Sequence, residues 1–170
     1  YFKLIESFIK KKKQVIVLLP EIFLTEQFKE RFCDFFGFEP PIWHSKITKK
    51  NKRLIWKNIM NGKIQILIGA RSSLLLPFKK LGLIIVDEEH DPSYKQEEGI
   101  IYNARDMAIT RASFENIPIK LITSIPSLET YNNIRIKKYN HIYISKRYNK
   151  FPLPKAKIID LILKRIGKNY

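Results

Sequence analysis

The chain has 170 residues, enough for one ordinary hydrophobic core. Lysine and arginine outnumber acids 32 to 16, a formal charge of +16, which favours a polyanion such as nucleic acid as partner, although the abundance of Lys, Ile and Asn also suits an AT-rich genome. The single Cys33 and three histidines exclude a disulfide within the chain and a structural zinc site, and the apolar runs are too short to span a bilayer, so no membrane partner and a cytoplasmic location are expected.

Phe2, Leu4, Ile5, Phe8 and Ile9 recur at helical spacing and run into lysines 10–13, cations that suit the negative end of a helix dipole. Residues 14–19 read as a buried strand, broken by Pro20 and Glu21. A helical period resumes over 23–36, with Cys33 as a small packed side chain, and stops at Gly37 and the Pro40-Pro41 pair. Residues 41–44 suit a short strand, 48–61 a helix closed by Gly62, and 64–68 the next buried strand, followed by Gly69-Ala-Arg-Ser-Ser73 and a turn to Pro77. Trp43 and Trp56 are read as packing residues.

Residues 81–86 are apolar without alternation, as in a strand buried on both faces, and end abruptly in Asp87, Glu88, Glu89, His90 and Asp91. In open parallel sheets ligands bind where strands end at their carboxyl side. That position is where nucleotide-hydrolysing proteins hold Mg²⁺ with an aspartate and activate water with a neighbouring group; a solvated acidic turn is the plainer alternative.

The polar, aromatic stretch 91–102 is expected to be a loop. Residues 104–114 suit a helix, 117–122 a strand that tolerates Pro118 near its start, 128–137 a helix, and 141–145 and 156–161 further strands. Strands alternating with helices predict an α/β domain with a parallel sheet and helices on both faces. The basic, proline-containing stretch 146–154 suits a connector.

Several segments together resemble the PriA family of primosomal replication-restart DNA helicases, across nearly the whole chain. They are Leu18-Leu-Pro-Glu-Ile-Phe-Leu-Thr-Glu-Gln27, Trp43-His-Ser45 with Arg53 and Trp56, Ile68-Gly-Ala-Arg-Ser-Ser73, and Val86-Asp-Glu-Glu-His-Asp-Pro-Ser-Tyr-Lys-Gln96. Tyr102-Asn-Ala-Arg-Asp106, Pro126-Ser-Leu-Glu129 and Leu153-Pro154 complete the set. DEEH alone is weakly specific, whereas DEEHDxSYKQ with PEIxLTxQ upstream is highly specific.

The resemblance implies a RecA-like, P-loop NTPase-type domain of three αβα layers. Residues 1–145 would be a partial ATP-binding domain and 146–170 a connector and last strand toward a second RecA-like domain. It implies a superfamily 2 helicase of bacterial cytoplasm that uses ATP and Mg²⁺ to move 3′ to 5′ on DNA at stalled or repaired forks. Single-strand-binding protein and primosome components are the implied partners, and zinc belongs only to a region of the family outside this chain.

Asp87, Glu88, Glu89 and His90 form the implied catalytic set. Asp87 would hold Mg²⁺ on the phosphates, Glu88 would polarise water, and His90 would link the nucleotide site to DNA-responsive elements; a hydrogen-bonded structural histidine is the alternative.

Tyr94, Lys95, Gln96 and Tyr102, beside Ser93, fall in an aromatic-rich loop that couples single-stranded DNA to hydrolysis, through stacking and phosphate contacts. Tyrosines that pack the loop down are the alternative. Thr25, Arg71, Ser72 and Ser73 stand at helix starts and would grip the DNA backbone, or cap helices. Arg105 with Asp106 is assigned to DNA or, otherwise, to a surface charge pair.

Three departures from the family stand out. No GxxxxGK[ST] loop occurs among the six glycines, so the chain is expected to begin just after that loop, which in the family precedes the helix matched by residues 1–13, and not to hydrolyse ATP alone. The family's Ser-Ala-Thr before Pro126 is Thr123-Ser124-Ile125, leaving Thr123 and Ser124 as candidate coupling hydroxyls. Its Arg-Tyr-His before Ala104 is Ile101-Tyr102-Asn103. A non-catalytic, basic single-stranded DNA-binding remnant is the competing reading.

Overall fold

The computed structural model describes residues 1–20, 22 and 25–144. Two compact units divide the chain, Tyr1–Asn132 and Asn133–Tyr170. In the second, Lys138 and Tyr139 donate their amides to the Asn133 carbonyl to close a turn, and residues 141–144 have no regular structure. The strand expected at 141–145 is therefore not formed over its first four residues. Residue 145, the connector and the strand expected at 156–161 lie outside the described residues.

The first unit is built on α1 (Phe2–Lys10), β1 (Gln14–Leu18), α2 (Glu26–Phe36), β2 (Ile42–Trp43), α3 (Lys49–Met60), β3 (Ile66–Gly69) and β4 (Leu81–Asp87). The small strands β5 (Lys95–Gln96) and β6 (Tyr102–Asn103) follow, then α4 (Ala104–Phe114), β7 (Ile119–Ile122) and α5 (Leu128–Arg135), which runs across the unit boundary.

Local chemistry sets the helix ends. Thr25, Thr48 and Asn103 each take an extended backbone and accept an amide hydrogen bond from the first turn of the following helix. The helix expected from residue 23 thus begins at Glu26, with residues 23 and 24 outside the described ones. Gly37, at φ 76°, closes α2 in the left-handed conformation.

Five strands form one parallel sheet in the order β2-β3-β1-β4-β7, the parallel α/β architecture that the alternation of strands and helices predicts. Side chains alternate across it. Ile16, Leu18, Ile84 and Val86 face Ala104, Ala108 and Ala112 of α4, while Leu67 on that side packs with Ile59 of α3. Val15, Val17, Ile66, Ile68, Leu83 and Ile85 face the other way, against Ile5 of α1 and Phe32 of α2. Helices cover both faces, giving three αβα layers.

Gln14 is the one polar residue inside β1, and it is fully partnered. Its amide nitrogen donates to the carbonyls of Ile59 (3.0 Å) and Ile64 (2.7 Å), and its oxygen accepts from the Lys80 amide (2.9 Å). This side chain engages Ile64, so β3 starts at Ile66 rather than at 64.

Two further sequence expectations need correction. Stretch 91–102 is not simply a loop: Pro92–Tyr94 forms a 3-10 turn capped by Asp91, and β5 pairs antiparallel with β6. Trp43 is buried as expected, but Trp56 is 45% exposed, because Ile55 and Ile59 form the inner face of α3.

Candidate functional site

Because all five strands run parallel, their carboxyl ends share one edge, and the acidic run emerges there from β4, between β1 and β7. Asp87 is the last residue of β4. Its Oδ1 accepts from the Glu88 amide (3.1 Å) and its Oδ2 from the Tyr1 hydroxyl (2.8 Å). Burial and the Asp87 charge together raise the pKa of the Tyr1 hydroxyl, so that it remains a donor. Sequence reasoning overlooked Tyr1, whose approach to Asp87 spans 86 positions.

Glu88 adopts φ 49°, a left-handed conformation that costs a non-glycine residue energy and turns the chain sharply away from the sheet. Its carboxyl pKa is raised by partial burial and then by Asp87, against the opposing influence of His90. His90 Nδ1 lies 3.6 Å from a Glu88 oxygen and 2.7 Å from the Thr123 hydroxyl just past β7. Thr123 in turn donates to the Ile125 carbonyl at 2.6 Å. Its single proton is thereby committed, so His90 must donate through Nδ1–H. Ile125, which lacks a side-chain hydroxyl, thus supplies the acceptor that orients Thr123, whereas Ser124 is exposed.

Glu89 points inward. Its side chain is fully buried and meets Arg105 Nη1 at 3.2 Å, the Ser127 amide at 2.7 Å, and the hydroxyls of Ser127 and Thr130 at 3.0 Å each. This corrects two expectations. Glu89 is committed to Arg105, Ser127 and Thr130 and, fully buried, is not open to a ligand. Arg105, only 7% exposed, is neither a free phosphate contact nor a surface pair, because its guanidinium is committed to Glu89, Asp106 and Ser127. Burial works against the Arg105 charge, yet Asp106 and Glu89 outweigh it and hold the pKa above its ordinary value. Ser127 and Thr130 were not singled out as site residues, although Pro126-Ser-Leu-Glu129 was a visible motif.

Tyr94 is likewise buried, at 1% exposure. Its hydroxyl lies 2.6 Å from the Asp87 carbonyl and 3.0 Å from the Leu18 carbonyl, pinning the 3-10 turn to the ends of β4 and β1. Packed there, the ring is not available to a nucleic-acid base. Tyr102 is half-buried against the same core cluster. Lys95 is exposed beside Glu97, and Gln96 donates to the Glu98 carbonyl.

The residues expected to grip a backbone divide. Thr25 caps α2 and is exposed. Arg71 donates to the Lys95 carbonyl at 2.7 Å, tying the 3-10 turn Arg71–Leu75 to β5. Ser72 is exposed and accepts from the Trp43 indole at 3.0 Å. Ser73 is fully buried and its hydroxyl donates to the Ala70 carbonyl, which removes it from any ligand. A cleft of about 300 Å³ opens beside these residues, lined by Leu19, Pro20, Ser45, Ala70, Arg71, Ser93 and Tyr94. Arg71, Ser45 and Ser93 give it the cation and hydroxyls that suit a phosphate.

Asp87 offers hard oxygen ligands at the edge, the donor type that suits Mg²⁺. Among the described residues no three His, Cys, Asp or Glu side chains converge to hold a metal unaided. The donor set therefore fits a metal that arrives with phosphate oxygens of its own.

Residues 1–126 match the family described as DEAD/DEAH box helicase. The chain is 51% identical over 169 residues to the replication restart protein PriA of Rickettsia conorii, covering 99% of this chain and 26% of that protein. It is 42% identical over 161 residues to the PriA of Haemophilus influenzae, covering 95% and 22%, and 37% identical over 161 residues to that of Bacillus subtilis, covering 95% and 20%. The chain spans about a quarter of the length of the curated relatives it matches.

Proposed function

This chain belongs to the DEAD/DEAH box helicase family, and from that membership we propose that it is a segment of an ATP-dependent DNA helicase serving replication restart. The segment is the nucleotide-facing part of a first RecA-like domain. Its substrates are forked and single-stranded DNA, its direction of travel is 3′ to 5′, and single-strand-binding protein and primosome components are its protein partners. Identity of 37–51% to proteins named for replication restart supports this reading.

The observation that carries it is the placement of Asp87 and Glu88 at the carboxyl edge of the sheet, with His90 bonded across to Thr123 past β7. Asp87 would hold Mg²⁺ together with the nucleotide, and the bound metal would neutralise phosphate charge. Glu88, its pKa raised by burial and Asp87, is a stronger base than an ordinary carboxylate and is suited to orient water and take its proton. The Tyr1 hydroxyl steadies one oxygen of Asp87. Arg71, with the cleft hydroxyls of Ser45 and Ser93, grips a phosphate of the DNA backbone, and Lys95 lies beside that grip through the Arg71 bond.

In a full-length protein carrying this segment, Glu88→Gln is expected to lower DNA-stimulated ATP hydrolysis by about 10²–10⁴-fold while ATP binding persists. Asp87→Asn is expected to lower both hydrolysis and Mg²⁺-dependent nucleotide affinity. Undiminished hydrolysis in Glu88→Gln would overturn the reading. The 170-residue chain alone, without GxxxxGK[ST], is proposed to be inactive as an ATPase; measurable DNA-stimulated turnover by it would sink that part.

A further inference from the structure

Between Glu39 and Asp87 the sequence contains no acidic residue, and much of the positive charge in that stretch is on α3. Lys49, Arg53 and Lys57 stand at successive four-residue steps, so they form one row along the helix with about 6 Å of rise between successive positions. Trp56 and Met60 fall on the same side and are 45% and 50% exposed, while Ile55 and Ile59 pack inward.

This arrangement is unfavourable to the helix itself. Like charges four apart repel, and Lys49 and Lys50 occupy the first turn, where the helix dipole disfavours cations and no acid compensates. A polyanion lying along the row would relieve both.

The first turn of α3 is also tied to the cleft. Ser45 lines the cleft, and Lys52 Nζ donates to the Ser45 carbonyl at 3.2 Å, tying the start of α3 to its lip. From there α3 leads away to Met60. We propose that the outer face of α3 is a track for single-stranded nucleic acid, continuing from the Arg71 cleft. Lys49, Arg53 and Lys57 meet successive phosphates, and Trp56 offers a ring on which a base stacks without sequence preference.

This track rests on the reading of the chain as DNA-binding, and the test separates the two. The full 170-residue chain is titrated with fluorescein-labelled oligo-dT at several salt concentrations. Lys49→Gln/Arg53→Gln/Lys57→Gln is compared with Lys11→Gln/Lys12→Gln/Lys13→Gln, which removes equal charge where the chain enters β1, and with Arg71→Gln. Far-ultraviolet circular dichroism checks that each variant is folded.

The α3 triple variant should lose at least about tenfold in affinity at 50 mM salt. Its slope of log K against log salt should fall by about 2, three cations at roughly 0.7 each. The control should change both clearly less. Oligo-dT should also quench Trp56 emission, a signal that Trp56→Phe abolishes. Equal losses in the two triple variants would overturn the track and leave bulk charge as the cause. So would an α3 triple variant that keeps its oligo-dT affinity but loses binding to poly-glutamate, which would make the face an acidic-protein site. If Arg71→Gln weakens binding while the α3 triple variant matches its control, the track fails and the cleft stands. If Arg71→Gln changes nothing while the α3 triple variant behaves as expected, the track stands and the cleft fails.

Discussion

His90 donates through Nδ1–H to the Thr123 hydroxyl at 2.7 Å, and because Thr123 spends its own proton on the Ile125 carbonyl, the direction of this bond is determined. The bond joins the acidic segment after β4 to the segment after β7.

Thr123→Val keeps the shape and removes the acceptor. In a full-length protein carrying the segment, DNA stimulation of ATP hydrolysis should fall about tenfold, in the ordinary range of a coupling free energy, while the rate without DNA changes less than about twofold. Steady-state hydrolysis with and without oligo-dT measures both. An unchanged stimulation ratio would show that the bond carries no signal.

Arg105→Met should cost about 3–5 kcal/mol, since it leaves the fully buried Glu89 charge without its cation. The double variant with Glu89→Leu should recover part of that loss. Urea unfolding of the four proteins in the cycle gives the coupling, and additive losses would contradict a shared buried network.

The raised pKa of Glu88 has a definite sign in stability. A carboxyl that binds its proton more tightly when folded contributes stability below its ordinary pKa, about 4.3, and loses that contribution as pH rises through the raised value. Glu88→Gln should therefore melt at the same temperature as the parent chain near pH 4 and at a higher one near pH 7.5. Thermal melts across that range test it; a variant less stable at pH 7.5 would reverse the sign.

Gly69 ends β3 where a Cβ would lie 2.5 Å from the Ser73 Cβ and 3.0 Å from the Trp43 carbonyl oxygen. Gly69→Ala should cost about 1–3 kcal/mol by overpacking and displace the 3-10 turn that carries Arg71. Urea unfolding reads the first effect. Weakened oligo-dT binding by the folded variant reads the second.

Much of the sheet was legible because its strands are short apolar runs and α4 shows its buried side as Ala104, Ala108 and Ala112 at four-residue spacing. Asp87 and Glu88 were legible for a related reason, as charges that interrupt an apolar run mark a strand end. Arg105 was not, because its burial depends on partners 16 and 22 positions away, Glu89 and Ser127, that no local period reveals. Tyr94 was misread because polar neighbours on both sides suggest a solvated loop, whereas the Asp91 cap turns its ring inward onto two strand-end carbonyls. Trp56 was misread as packed because aromatic character alone does not say which side of α3 faces Ile59.

β1 lies at the centre of the sheet, pairing Val15 with Ile66 on one side and with Leu83 on the other. Neither partner is local. At ribosomal speeds of about 5–20 residues per second, the segment Gln14–Leu18 waits roughly 3–14 s for Leu83 to be made. Ile66 is made earlier and can close one edge, but through that interval the edge meant for β4 stays open, a site at which the newborn chain can pair wrongly.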